Sequence, residues 1–143
     1  MNEVPTKTIT AINEPIKPYG PGSSEKESIK QEIERLKSTQ IEIPIIIGGE
    51  EIKTGNIATC VMPHNHSHVL GTYHQASEEE IEMAIKSCLE AQKTWSKTSL
   101  DERCKIFQRM AELLQNKYRD TINASTMLGQ SKNIFQAEID SAC

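Results

Sequence analysis

Aromatic side chains and long apolar runs are scarce in this chain of 143 residues. Aromatic residues make up 4% and hydrophobic residues 36%, below the roughly 45–50% apolar content, glycine included, of globular domains. Such a chain is expected to have apolar faces that segments outside it cover. No apolar run approaches the ~18 residues of a membrane span. The 20 acidic and 16 basic residues are interleaved, with no basic stripe, so we expect neither a membrane nor a nucleic acid as partner.

The N-terminal residues contain little positive charge. Residues 1–12 include Glu3 and a single lysine, Lys7, and the first arginine of the chain is Arg35. A mitochondrial transit peptide is typically rich in arginine and poor in acidic residues. The sequence therefore does not predict a transit peptide here.

Closely spaced cysteine pairs are also missing. The four cysteines, with no Cys-x-x-Cys motif among them, are Cys60, Cys88, Cys104 and Cys143. We expect reduced, mostly buried thiols in an intracellular compartment. Only Cys104 has basic neighbours near a predicted helix start, the surroundings that make a thiolate reactive. Even for Cys104 a structural role is favoured, because free cysteines are mostly buried packing residues.

Proline and glycine are concentrated at the start of the chain. Residues 1–22 hold four of the six prolines and two glycines: Pro5, Pro15, Pro18, Pro21, Gly20 and Gly22. Such a segment favours extended and turn conformations and has little to bury. We predict an extended, poorly packed arm over residues 1–22, followed by an incomplete domain over residues 23–143.

Three capping boxes mark the starts of predicted helices. They pair Ser24 with Glu27, Ser77 with Glu80, and Ser99 with Glu102. The second and third of these helices carry broad apolar faces. We predict that they pack as an antiparallel pair through Ile85, Leu89, Ile106 and Met110.

Short strands are predicted between the first two helices. They cover residues 43–47, 50–53, 57–62 and 69–73. Gly48 and Gly49 can take the positive φ values of a two-residue hairpin turn between the first two strands. Pro44 indicates that the first of these strands begins at a sheet edge.

A further helix is predicted from about Tyr118 to Leu128, with Gly129 as its stop. The next residues, 129–132, have some likeness to a phosphate loop. They lack the Gly-x-x-x-x-Gly-Lys spacing that lets successive amides contact phosphate, so a tight turn between two helices is the better interpretation.

The strongest candidate for a metal site in the sequence is a group of histidines. His64, His66 and His68 alternate, with His74 nearby, and three neutral imidazoles can hold zinc. The tract also follows a proline and contains Asn65 and Ser67, which favours a polar turn between strands. We predict the turn and no metal.

Two carboxylates near the end of the chain resemble an acid–base pair. Glu138 and Asp140 lie two positions apart on a predicted helix and therefore point to different sides. We therefore do not expect the two carboxylates to act together as general acid and general base. We predict that both side chains are solvated or form salt bridges.

Six short motifs occur in order along the chain. They are Asn13-Glu14-Pro15, Ile43-Pro44, Pro63-x-Asn65-His66-x-His68, Arg103-x-x-Ile106-Phe107, Thr126-Met127-x-Gly129-Gln130-x-Lys132, and Gln136-Ala137-Glu138-Ile139-Asp140. In this order they resemble the 1-pyrroline-5-carboxylate branch of the aldehyde dehydrogenase family. One departure is Ser131, which stands where that family more often has a second glycine.

The resemblance implies an α/β fold, in which this chain is the incomplete N-terminal portion of an NAD-binding domain: arm, helix, hairpin, short strands and antiparallel helices. It implies oxidation of L-glutamate γ-semialdehyde, the open form of 1-pyrroline-5-carboxylate, to L-glutamate with NAD in proline catabolism. A small-molecule substrate, a mitochondrial matrix location and a homo-oligomeric full-length enzyme belong to the same expectation.

The family's nucleophilic cysteine, general-base glutamate and cofactor loops are expected beyond Cys143. We therefore predict no catalytic, cofactor-binding or metal-binding residue in this chain, and no activity from it alone. Cys143 falls inside a predicted helix without a stop signal, which indicates a fragment. Two alternatives stay open: a small helical adaptor that binds a partner through its apolar stripes, or another aldehyde dehydrogenase subfamily.

Overall fold

Helices and strands follow one another in the computed structural model, which describes residues 13–141. The helices are α1 (Ser24–Ser38), α2 (Glu78–Trp95), α3 (Leu100–Glu112), α4 (Arg119–Gln130) and α5 (Ile134–Ser141). The strands are β1 (Ile41–Ile43), β2 (Ile45–Ile47), β3 (Glu50–Ile52), β4 (Ile57–Met62) and β5 (Asn65–His74). A π-helical turn, Leu113–Lys117, joins α3 to α4. The predicted α/β class is confirmed, and no helix in the described range has the length and apolarity of a membrane span.

The five strands form two small sheets. In the larger sheet β5 is central, parallel to β1 on one side and antiparallel to β4 on the other. Gly71 of β5 lies opposite Ile41 of β1, and a Cβ atom on Gly71 would come within 2.7 Å of the Ile41 carbonyl oxygen. Glycine therefore permits the close approach of these two strands.

The smaller sheet is the predicted hairpin of β2 and β3, in which Ile45 pairs with Ile52. Gly48 and Gly49 have φ values of 62° and 90°, the positive values that a two-residue turn requires. Pro44 falls between β1 and β2, where the chain leaves one sheet for the other. A residue without an N–H is tolerated there because no ladder bond is needed.

The apolar core lies between α1, α4 and α5. Tyr19, Ile29 and Ala124 are buried in it, and the partly buried residues around them are Ile33, Leu36, Met127 and Ile134. The apolar side chains of α1 thus face the core, as in other amphipathic helices. On its other side α4 packs against β4, whose Met62 is also buried.

The capping boxes that open α2 and α3, at Ser77 and Ser99, are confirmed. The box predicted at Ser24 is wrong: Ser23 is the N-cap of α1 and accepts a hydrogen bond from the Lys26 amide at 3.4 Å. The two neighbouring serines offer the same chemistry. Ser23 has the extended backbone that an N-cap requires, whereas Ser24 is already helical.

The predicted packing of α2 against α3 is wrong. Each of the four residues that should mediate it is more than half exposed: Ile85, Leu89, Ile106 and Met110. Within the described part of the chain neither helix buries a residue. A capping box determines where a helix begins, but not what its apolar face contacts.

Residues 13–20 of the N-terminal arm form neither helix nor strand and residues 21–22 form a turn, but the arm is not poorly packed. Tyr19 is 7% exposed, and Glu14 and Lys17 hydrogen bond to α4 and α5. The prediction failed because Tyr19 enters the core and polar groups of the arm have partners on α4 and α5. Residues 1–12 lie outside the described range.

Candidate functional site

A buried polar cluster lies where the arm crosses α4 and α5. Glu138 of α5 and Asn123 of α4 are both 0% exposed, and Arg119 is 3% exposed. Arg119 and Asn123 are four residues apart and so lie on one side of α4. Tyr19 brings its hydroxyl to the same place from the arm.

Both carboxylate oxygens of Glu138 accept hydrogen bonds. Oε1 accepts from Arg119 Nε at 3.1 Å and from the backbone N–H of Lys17 at 3.0 Å, and Arg119 Nη2 also donates to it. Oε2 accepts from the Tyr19 hydroxyl at 2.8 Å and from Asn123 Nδ2 at 2.5 Å. The carboxylate therefore has the several partners that a buried charge needs.

Arg119 extends the cluster along the arm. Its Nη1 donates to the Glu14 carboxylate, and its Nη2 donates to the Pro15 carbonyl oxygen at 2.8 Å. The planar guanidinium suits such a role because its five donors have fixed directions. We call this set of residues the arm clasp: Glu14, Pro15, Lys17, Tyr19, Arg119, Asn123 and Glu138.

Two ionisable groups of the arm clasp, Glu138 and Tyr19, have pKa values far from neutral pH. Burial alone would raise the pKa of Glu138, but the hydrogen bonds from Arg119, Lys17, Tyr19 and Asn123 outweigh burial and lower that pKa to about 2. Burial, together with the hydrogen bond to Glu138, raises the pKa of Tyr19 to about 12. A general acid or base needs a pKa near the working pH. The arm clasp is therefore suited to holding the arm and not to proton transfer.

The sequence indicated only part of this arrangement. Glu138 and Asp140 point to different sides, as predicted, and Asp140 pairs with Lys132 at the surface. The partners of Glu138 were missed. The sequence contains no signal for these partners, because the burial of Glu138 beside Ala137, which makes a cationic partner necessary, is seen only in the structure.

The histidines have separate partners. His64 Nδ1 lies 2.8 Å from Ser131 Oγ, and His68 Nε2 lies 3.1 Å from the Lys37 carbonyl oxygen. His66 is exposed on β5. Since β5 begins at Asn65, the predicted turn is shorter than expected and two of the three alternating histidines lie in a strand.

His74 is held between two elements. Its Nδ1 accepts from the Gly55 backbone N–H at 3.1 Å, so its Nε2 carries the proton that it donates to Glu42 at 2.9 Å. This contact links the end of β5 to β1. Among residues 13–141 no three potential metal ligands come together.

The described cysteines are more exposed than predicted. Cys60 and Cys88 are exposed and Cys104 is intermediate. The expectation of mostly buried thiols is wrong for these residues because β4 and α2 have uncovered outer faces. Cys143 lies outside the described range.

The segment after α4 is a tight turn between two helices, as predicted. The predicted stop at Gly129 is wrong, because α4 continues to Gln130 and Ser131 takes the left-handed C-cap conformation at φ 56° and ψ 28°. Glycine is the usual residue in that conformation. Ser131 adopts it here with its hydroxyl in contact with His64.

The sequence of this chain matches a known protein family. The sequence model described as the aldehyde dehydrogenase family matches residues 51–143, most of the chain. The chain belongs to the aldehyde dehydrogenase family.

The similar proteins point to one branch of that family. Delta-1-pyrroline-5-carboxylate dehydrogenase, mitochondrial, of Dictyostelium discoideum is 38% identical over 93% of this chain and 24% of its own length. The corresponding enzyme of Agaricus bisporus is 41% identical over 91% of this chain and 24% of its own length. The crystal structure of the Mycobacterium tuberculosis enzyme matches with a TM-score of 0.93 and 36% identity, over 100% of this chain and 26% of that chain. This chain thus spans about a quarter of the length of these relatives.

The Mycobacterium tuberculosis enzyme has also been solved with NAD bound. Among the residues described here, the connection from β5 to α2 differs from a pyrophosphate-binding turn. Within residues 13–141 the direct connection from a strand into a helix, from β5 to α2, has no glycine, and α2 begins with Glu78, Glu79 and Glu80. Three carboxylates at a helix N-terminus oppose the binding of a pyrophosphate.

Proposed function

We propose that this chain is the N-terminal part of an NAD-dependent dehydrogenase that oxidises L-glutamate γ-semialdehyde to L-glutamate in proline catabolism. The observation that carries the proposal is the similarity to 1-pyrroline-5-carboxylate dehydrogenases over more than nine-tenths of the chain. The overall change is aldehyde, NAD⁺ and water giving carboxylate, NADH and two protons. The aldehyde carbon is oxidised and the nicotinamide is reduced.

The contribution of this chain is structural under this proposal. The arm clasp fixes residues 14–19 across α4 and α5, and the pKa values of Glu138 and Tyr19, about 2 and about 12, lie far from neutral pH. The chain alone is proposed to be inactive, with the arm of residues 1–22 and the segment of residues 23–143 forming the opening of the NAD-binding domain.

Location and assembly belong to the same proposal. The relatives from Dictyostelium discoideum and Homo sapiens are named mitochondrial, which supports a matrix location. A homo-oligomer of the complete enzyme is proposed from family resemblance.

The test is a chimaera in which this chain replaces the matched first quarter of the Dictyostelium discoideum enzyme. NADH formation is followed at 340 nm with 1-pyrroline-5-carboxylate, and with propanal as the comparison substrate. We expect turnover by the chimaera with a preference for the pyrroline, and none by the 143-residue chain alone. An inactive but folded chimaera contradicts the proposal, and so does turnover by the chain alone.

A further inference from the structure

A cavity of about 340 Å³ lies between α1, the end of β4 and the end of α4. Its floor is formed by four apolar side chains that are buried or half-buried: Ile33, Met62, Met127 and Leu128. Its rim is formed by four polar side chains: Lys37, His64, Ser131 and Lys132. An apolar pocket of this volume with a few converging polar groups is typical of a small-molecule site. We call it the α1–α4 cavity.

The rim of the α1–α4 cavity is positively charged. Lys37 and Lys132 supply two ammonium groups, and the described residues that line the cavity include no carboxylate. The C-terminal ends of α1 and α4, close to these lysines, contribute about half a negative charge each. Two full positive charges outweigh these helix ends, so the rim attracts an anion.

Both ammonium groups have an acidic partner outside the lining. Lys37 pairs with Glu34 at 3.0 Å, and Lys132 pairs with Asp140. The acidic side chains are 71% and 44% exposed, against 38% and 33% for the two lysines. Exposed pairs of this kind are weak because water competes for both charges. Either ammonium group can therefore turn to an anion bound in the cavity.

His64 and Ser131 add a hydrogen-bond donor to the rim. His64 Nδ1 lies 2.8 Å from Ser131 Oγ. If the hydroxyl donates to Nδ1, the ring carries its proton on Nε2; if Nδ1 donates, the hydroxyl keeps its own proton. In either tautomer one donor remains for a further acceptor. Ser131 also holds a positive φ of 56°, and strained residues of this kind cluster where ligands are held.

Two other cavities differ from this one in charge. The cavity on α2, of about 300 Å³, is lined in part by Glu82 and Glu90. The cavity beside the arm, of about 470 Å³, is lined in part by Glu25 and Asp120. These carboxylates repel an anion. The α1–α4 cavity instead combines an apolar floor with a cationic rim.

We propose that the α1–α4 cavity binds a small amphiphilic carboxylate, whose charged end contacts the rim and whose alkyl chain lies on the apolar floor. Met62 and Met127 suit the alkyl chain because methionine side chains adapt to irregular shapes. This binding does not depend on the proposed dehydrogenase activity.

Hexanoate is the probe, and methionine methyl signals in NMR spectra show where it binds. The chain is produced with isotope-labelled methionine methyl groups. Met62 and Met127 line the cavity, whereas Met83 and Met110 are exposed on α2 and α3. We expect hexanoate to shift the first two signals and not the second two. The expected Kd is about 1 mM, the affinity of a ligand of this size at ordinary efficiency per atom.

Two further probes separate the contribution of the charge from that of the alkyl chain. Hexanol lacks the charge and should bind roughly tenfold more weakly than hexanoate, because it loses charge-assisted hydrogen bonds. Acetate lacks most of the alkyl chain and should bind more weakly by at least roughly tenfold.

Two lysine substitutions form a matched pair. Lys132→Gln removes one ammonium group from the rim and should lower the affinity for hexanoate roughly tenfold, the size of one hydrogen bond to a charged group. Lys86→Gln removes the same charge from the cavity on α2 and should change the affinity less than about twofold. Circular dichroism of the two variants verifies equal helix content.

The proposal fails if no signal shifts, or if Met83 and Met110 shift as much as Met62 and Met127. It also fails if hexanol or acetate binds as tightly as hexanoate, or if the two lysine substitutions have equal effects. The titration is repeated with the chimaera described above. Loss of the Met62 and Met127 shifts there contradicts the proposal, since the remaining polypeptide then covers the cavity. NADH formation is not measured, so a wrong dehydrogenase substrate leaves the result unchanged.

Discussion

The region around the arm clasp and the region of α2 and α3 differ in what they bury. Near the clasp, Glu138 and Asn123 are fully inaccessible and the core residues Tyr19, Ile29 and Ala124 lie beside them. In α2 and α3 no residue is buried within the described range, although both helices begin with complete capping boxes. Good caps and good packing are therefore separate properties of a helix.

The contrast also concerns charge. Ion pairs such as Lys93 with Glu90 and Arg109 with Glu112 lie at the surface of α2 and α3. Exposed pairs of this kind contribute about 0–1 kcal/mol each. Removing one partner of a buried pair costs more because the other charge stays uncompensated. We therefore expect the stability of this chain to depend mainly on the arm clasp and the adjoining core.

The largest effect is expected from Glu138→Ala. The substitution leaves Arg119 buried with one carboxylate partner fewer, and we expect the free energy of unfolding to fall by roughly 3–5 kcal/mol. The matched substitution is Asp140→Ala on the same helix, which removes an exposed partner of Lys132 and should cost less than about 1 kcal/mol. Urea denaturation followed by circular dichroism measures both. Equal losses would show that the buried ion pair of Glu138 stabilises the chain no more than the exposed pair of Asp140.

The pH dependence of stability should follow from the same residue. The pKa of Glu138 is about 2 in the folded chain against 4.5 as its ordinary value. Its contribution is therefore present above pH 4.5 and lost as the pH falls toward 2, and a difference of this size corresponds to roughly 3 kcal/mol.

Unfolding of the native chain and of Glu138→Gln between pH 6 and pH 2 measures that contribution. The variant should have the smaller pH dependence. The pH dependence of Glu32→Gln is measured beside that of Glu138→Gln. The hydrogen bond from Arg35 lowers the pKa of Glu32 to about 2 as well. If Glu138→Gln keeps the native pH dependence, the carboxylate is not ionised as described.

A smaller effect is expected from trimming one methyl group in each region. Ile29→Val in the core of α1 should cost about 1 kcal/mol, because the site is 4% exposed and cannot refill with solvent. Ile85→Val on α2 should cost less than about 0.5 kcal/mol, because that side chain is already 56% exposed. Urea midpoints of the two variants test this. A larger loss for Ile85→Val would mean that α2 is packed in solution.

An effect similar in size to that of Ile29→Val is expected in the turn between α4 and α5. Ser131→Gly and Ser131→Ala both remove the hydroxyl contact with His64, but only glycine adopts the left-handed conformation without strain. We expect the glycine variant to be more stable than the alanine variant by about 1 kcal/mol. Thermal melting of the two variants provides the measurement. The same melting temperature in both would show that the backbone at Ser131 is not constrained.

Local signals predicted the helices and the hairpin well. The capping boxes at Ser77 and Ser99 and the glycine pair at Gly48 and Gly49 each determine a structure within a few residues of themselves. The end of α4 was misplaced by two residues. Sequence alone places a flexible glycine at Gly129, whereas the αL conformation falls on Ser131, where the contact with His64 is available.

Long-range contacts were not predictable in the same way. The arm clasp joins Tyr19 to Glu138, 119 positions apart, and no periodicity in the sequence connects them. The pairing of α2 with α3 was inferred from two apolar stripes. A stripe shows that a helix needs a partner but does not identify that partner.

The distance along the chain between the two halves of the arm clasp also has a consequence for synthesis. Residues 14–19 leave the ribosome early, but their carboxylate partner, Glu138, is translated more than a hundred residues later. Closing a loop of that length has an entropic cost that only the finished contacts offset. The hairpin and the first helix can form while translation continues, whereas the arm must wait. Until Glu138 has been translated, residues 14–19 are available to chaperones and proteases.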